Sequence, residues 1–104
     1  MDPVPNTLFS KIVMAIGSGS PDHRALVVAL AEAGADVAVA GPPGMPHEVL
    51  LNSISNEVWA IGRRSVVISF EQGDPAAFAD AVSRARDDLG RVDFIVTVEP
   101  VLTT

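Results

Sequence analysis

Four short apolar runs alternate along this chain with three stretches patterned for helices, and that alternation restricts the fold more than any other feature. The runs cover residues 11–16, 36–40, 65–70 and 92–98. They are dominated by Val, Ile, Ala and Met with few polar interruptions, as in strands buried on both faces. Between them, Ala25, Leu26, Ala29, Leu30 and Ala33 form a stripe at helical spacing. Val49, Leu50, Ile54, Val58 and Ile61 form a second stripe, within a helix over residues 46–61. Phe78, Ala81, Val82, Ala85 and Leu89 form a third.

The boundaries carry their own signals. Ser20 suits a helix N-cap, Pro21 the first helical position, and Asp22 the positive end of the helix. Asp74 ahead of Pro75 repeats that start. Gly34, Gly62 and Gly90 stop the three helices, and Gly41-Pro42-Pro43-Gly44 breaks the second strand. The order β-α-β-α-β-α-β with short connections implies an α/β fold, a parallel sheet with helices on both faces. Right-handed crossovers then favour a Rossmann-like doubly wound sheet with strand order 3-2-1-4. The 104 residues suit one compact domain, placed at 11–104. Residues 1–10, with Pro3 and Pro5 and no periodicity, are expected to be a flexible arm.

Composition narrows the function classes. Hydrophobic residues make up 48%, enough for a core. A net charge of −6 and a single lysine, Lys11, argue against nucleic acid, which is bound by neutralising phosphates. The chain has no cysteine, so disulfides and thiolate metal sites are excluded. No apolar run approaches the roughly 18–20 residues that span a bilayer. The first residues lack the basic and apolar regions of a signal peptide. The expectation is a cytoplasmic protein with no membrane partner.

The turn after the first strand, Gly17-Ser18-Gly19, stands where dinucleotide-binding folds hold a pyrophosphate. Gly17, Ser18 and Gly19 are therefore candidate cofactor-binding residues. Their neighbours oppose that role. Pro21 has no N–H to donate, and Asp22 brings a carboxylate to the helix start. At ~4 Å, two like unit charges repel by about 1–4 kcal/mol between water and a protein surface. The spacing Gly-x-Gly-x-x-Gly also fails at Asp22. The expected outcome is a self-capped helix with no tightly held nucleotide, and NAD or NADP if any. After the second strand, Gly41-Pro42-Pro43 supplies neither the acid of NAD users nor the arginine of NADP users.

The two histidines, His23 and His47, lack the spacing of metal ligands. His23 beside Asp22 is expected to be a solvated pair at the helix end, and His47 with Glu48 to belong to the second helix. Glu71, Asp74 and Glu99 fall near strand C-termini, where they form an acidic rim, with Asp74 assigned to capping. Trp59 and Phe70 are assigned to core or packing roles, and Arg63-Arg64 to a solvated turn.

The segment Ala29 to Gly41 (ALAEAGADVAVAG) resembles the first helix and second strand of short-chain dehydrogenases/reductases. Ile61-Gly62-Arg63-Arg64, Gly73-Asp74-Pro75 and Leu89-Gly90-Arg91-Val92-Asp93 extend the resemblance in register over residues 11–98. It implies the first half of that family's fold, incomplete relative to the whole. The family's opening motif is Thr-Gly, three residues, then Gly-x-Gly. Here Ile16 stands for the threonine, Gly17 is kept, and Pro21 and His23 stand for the other glycines. Glu71 matches the acid whose loop cradles adenine in the family. The family's Asn-Asn-Ala-Gly becomes Thr97-Val98-Glu99-Pro100. Its catalytic Ser, Tyr and Lys have no counterparts here, so no catalytic residue is assigned.

Two functional readings follow. The first is a catalytically inactive unit acting through assembly, with a partner chain or the rest of its own fold. The second is the nucleotide-binding half of an NAD(P)-dependent oxidoreductase whose catalytic residues lie elsewhere. A weaker third is a sensor for a smaller ligand at the strand C-termini. If the chain stops at Thr104, the run that opens at Val92 and closes at Val98 is an unprotected apolar edge. A protein partner is expected there, either a second copy or a homologous dehydrogenase.

Overall fold

The computed structural model describes residues 7–98. The elements run β1 (Ile12–Ile16), α1 (Pro21–Glu32), β2 (Asp36–Gly41), α2 (His47–Ile61), β3 (Ser65–Ser69), α3 (Pro75–Leu89) and β4 (Phe94–Thr97). The strands form one parallel sheet in the order β3-β2-β1-β4, as the alternation predicts. Val13, Ala15, Val37 and Val39 face α1 and α2, meeting Val27, Ala31, Leu51, Ile54 and Val58. Ile12, Met14, Ile16, Ala38, Ala40 and Ile68 face α3, meeting Ala81, Ala85 and Leu89. All of β1 is buried, which explains its unbroken apolar sequence. Alanines in β1 and β2 let the helices sit close to the sheet.

The helix faces differ from the stripes read in the sequence. In α1 the inward residues are His23, Val27 and Ala31, while Ala25 and Ala29 are exposed and Leu26, Leu30 and Ala33 are half-buried. Alanines weigh little in a hydrophobic pattern, so the stripe of an alanine-rich helix is poorly fixed. In α2 the buried residues are Leu51, Ile54, Ser55 and Val58, with Val49, Leu50 and Ile61 exposed. Ser55 turns inward because its hydroxyl donates to Ser65 Oγ at 2.7 Å, which satisfies it. Trp59 is not a core residue. It is 56% exposed, and its indole N–H donates to the Ser65 carbonyl at 3.2 Å. Phe70 is buried as assigned. In α3, Ala81, Ala85 and Leu89 are buried and Val82 is partly so, whereas Phe78 is exposed.

Part of the expected arm, residues 7–10, falls within the described residues. Residues 7–10 form a turn tied to the domain by Leu8 N–H on the Ala33 carbonyl, 3.0 Å. Residues 1–6 lie outside the described residues. The Arg63 guanidinium stacks over Phe9, 5.5 Å from the ring centre. Arg64 meets Asp36 at 3.0 Å and the Leu89 carbonyl at 3.1 Å. Both arginines, in the connection between α2 and β3, thus brace the N-terminal end of the sheet, with the Arg64 side chain still about half exposed.

β4 is shorter than the apolar run that predicts it. Its start is fixed by a reciprocal pair: Ile12 N–H donates to Asp93 Oδ2, and Asp93 N–H donates to the Ile12 carbonyl, both at 2.8 Å. Arg91 hydrogen-bonds the Asp93 carboxyl, and with the Ile12 N–H this holds its pKa below the ordinary 3.8. Val98 N–H still reaches the Ile16 carbonyl at 2.8 Å. Glu99, the third member of the expected acidic rim, lies outside the described residues. Among the described residues, no helix is long and apolar enough to cross a membrane.

Candidate functional site

The turn between β1 and α1 is built by a helix start that satisfies itself. Ser20 caps α1, its Oγ accepting the His23 N–H at 3.2 Å, and Pro21 opens the helix. Gly17 N–H donates to the Ala40 carbonyl at 2.9 Å. His47, at the first turn of α2, donates from Nδ1 to the Ser18 carbonyl at 3.1 Å. Gly19, at φ +89°, turns its N–H toward the imidazole of His23, 3.0 Å from Nδ1.

His23 is the residue that the sequence reading misplaced. It is not a solvated partner of Asp22; it is 0% exposed. It stands at the third helical position, and helical side chains lean back toward the N-terminus. Its ring therefore falls beneath the glycine turn. Nε2 lies 3.0 Å from the Ala15 carbonyl. Since the Gly19 N–H can only donate, Nδ1 accepts and the ring proton sits on Nε2, donating to Ala15. The close approach explains Gly17, where a Cβ would lie 2.6 Å from His23 Cγ. The signal available in the sequence was the pairing itself, a bulky residue at the third helical position facing a glycine at the strand end.

Of the candidate residues, Gly17 and Gly19 stand against the His23 ring, and Ser18 offers its carbonyl to His47. Asp22 is exposed at the second helical position. Glu71 lies exposed on the loop after β3. That loop borders a cleft of about 370 Å³ between Ile16, Phe70, Gln72, Asp74, Phe78 and Thr97. Glu71 is not part of its lining. Phe70 and Phe78 form one wall, their rings 6.0 Å apart and tilted by 59°. Asp74 accepts from the N–H groups of Ala76 and Ala77, at 3.0 and 3.3 Å, which is the capping role expected of it. Among the described residues, no group of His, Asp and Glu is arranged to hold a metal ion.

The second notable surface is the outer side of β4. Phe94 is 50% and Ile95 45% exposed. An apolar groove of about 350 Å³ runs between Leu8, Leu30 and β4, floored by Val13.

No protein-family model matches the chain. It is similar to an L-rhamnose 1-dehydrogenase (NAD(P)(+)) of Sphingomonas sp. (strain SKA58), with 30% identity over 91 residues, 86% of this chain and 34% of that protein. Its fold matches a blue fluorescent protein from a metagenomic library in complex with NADPH. There the TM-score is 0.83 and the identity 29%, over 92% of this chain and 38% of that one. A mutant short-chain dehydrogenase/reductase of Serratia marcescens matches with TM-score 0.79 and 26% identity, over 92% of this chain and 38% of that one. The chain thus spans about a third of the length of these relatives. With its strand order, turn placement and these likenesses, the chain is a short-chain dehydrogenase/reductase-like N-terminal Rossmann half.

Proposed function

We propose that this chain is a non-catalytic short-chain dehydrogenase/reductase-like unit that holds no dinucleotide tightly and works through assembly across β4. The observation that carries this is the open side of β4. Among the described residues the strand pairs only with β1, so its other edge presents backbone donors and acceptors to whatever lies beside it. Apolar side chains stand on both of its faces, with Phe94 and Val96 in register with Val13 and Ala15, and Ile95 with Met14. An occupant that contributes a strand satisfies the edge, and its own covering elements bury both faces. The rest of the chain's own fold or a partner subunit supplies that strand. Relatives about three times as long are consistent with either source. Light scattering on the purified chain tests the reading. A self-associated or partner-bound species is expected, and a sharp monomer with a cooperative melt overturns it.

A second reading is favoured by the relative that binds NADPH. The chain is then the nucleotide-binding half of an NAD(P)-dependent oxidoreductase. Hydride transfer would be completed by Ser, Tyr and Lys outside these residues, the tyrosine serving as acid and base. Titration with NADH and NADPH by fluorescence or calorimetry separates the two. Micromolar binding selects the second reading, and no binding at millimolar cofactor removes it.

A further inference from the structure

We infer that His23 is a built-in occupant of the β1–α1 turn, a side chain that takes the space and the backbone donor a phosphate would use and so excludes phosphate-bearing ligands. This rests on the turn alone and stands or falls separately from assembly through β4.

A glycine turn at a helix start binds phosphate by converging several backbone N–H groups on open space. In this turn three such groups have protein acceptors. Gly17 N–H goes to Ala40, Gly19 N–H to the His23 ring, and His23 N–H to Ser20 Oγ. The space is filled as well. The ring is fully buried, and a single added carbon on Gly17 would lie 2.6 Å from Cγ and 2.7 Å from Nδ1. An entering anion would have to expel the ring. That would strip the Ala15 carbonyl of its Nε2–H partner and leave a void under β1. Asp22, beside it, would meet the anion with a like charge.

The imidazole fits because it carries an acceptor and a donor on opposite sides of one small ring. Nδ1 answers Gly19 and Nε2–H answers Ala15. A ligand able to replace it needs the same two groups at the same separation. Free imidazole has them. 1-Methylimidazole keeps the acceptor and loses the donor.

The experiment has one arm without variants and two with them. In the wild-type chain, ¹⁵N spectra of the ring are expected to show protonated Nε2 and bare Nδ1. The Gly19 amide should exchange about 100-fold more slowly than an exposed loop amide. In His23→Gly, imidazole should raise the melting temperature saturably, while 1-methylimidazole and the wild-type chain show no such rise. Finally, NADPH affinity is compared between Asp22→Asn and the double variant Asp22→Asn/His23→Gly. Removing the ring should tighten binding by about tenfold or more, a change of about 1.4 kcal/mol. A Gly19 amide exchanging like an exposed loop overturns the inference, and so does equal NADPH affinity with and without His23. If His23→Gly does not fold, the wild-type spectra and exchange decide.

Discussion

Two turns at the same end of the sheet begin with nearly the same chemistry and end differently. The turn before α1 and the turn before α3 each place a capping side chain, Ser20 or Asp74, ahead of a proline at the first helical position. In each, the cap accepts the N–H of the third helical residue. That residue is His23 in one turn and Ala77 in the other. The imidazole reaches back and fills the space under the first turn. The methyl group of Ala77 packs against the core on the α3 side and does not fill the turn, which borders an open cleft of about 370 Å³. The capped helix start is common to both turns, so what separates them is the side chain at the third position.

The largest test of this contrast is removal of the ring. His23→Ala leaves a cavity, and the Gly19 N–H and Ala15 carbonyl both lose a partner. A loss of about 2–4 kcal/mol is expected in chemical denaturation. Ala77→Gly at the matching position should show the helix-propensity loss of about 1 kcal/mol and the packing of one partly buried methyl, less in all than loss of the ring. Equal losses would mean that the imidazole contributes no more than a methyl group, and the contrast would fail.

Glycine substitutions sharpen the same point. Gly17→Ala places a carbon 2.6 Å from the ring, and overpacking of this kind typically costs about 1–3 kcal/mol. In a His23→Ala background most of that penalty should vanish, because the obstructing atoms are gone. Gly73 sits at φ +84° with nothing within 4 Å of an added Cβ, so Gly73→Ala should show backbone strain alone. Its effect should be the same with or without Ala77→Gly. A double-mutant cycle measures both, with coupling expected in the first pair and additivity in the second.

The shared part of the two turns makes a smaller prediction. Ser20→Ala and Asp74→Ala should each destabilise by about 1 kcal/mol, as cap removal commonly does. A much larger loss at Ser20 would mean that the cap also holds His23 in place, tying the cap to the ring.

The legible parts of this chain were those set by local rules. Element order, both caps, the glycine stops and the strand order follow from apolar runs, Ser20, Asp74, Gly34, Gly62 and short parallel crossovers. Residues decided by tertiary contact were not legible. Ser55 faces inward because Ser65 from another element meets its hydroxyl. Trp59 stays outside because its N–H finds the Ser65 carbonyl at the sheet margin. His23 read as polar and therefore solvated, since burial of an imidazole depends on two partners, Gly19 and Ala15, that no spacing rule announces. At the candidate site, Gly17 and Gly19 stand against the His23 ring, and the Ser18 carbonyl meets His47. What lay between them and any ligand was the part that required coordinates.

The smallest effect is expected at the opposite end of the sheet, which serves as the control for both turns. Asp93 anchors the start of β4 through the Ile12 N–H, and the Arg91 guanidinium holds its carboxyl below the ordinary 3.8. A carboxyl depressed in the folded state contributes stability that is fully present above its unfolded pKa. That contribution is lost as the pH falls through the lower, folded value. The window therefore lies below about pH 4. Asp93→Asn should flatten the wild-type stability curve in that acid limb and leave its shape above pH 5 unchanged. Because Asp93 is partly exposed, the effect should be smaller than either cap removal. Amide exchange at Ile12 should rise in the same window in the wild-type chain, since its N–H acceptor is the group being protonated. An acid limb that survives Asp93→Asn unchanged would place the titrating group elsewhere, and the two turns would be the next places to look.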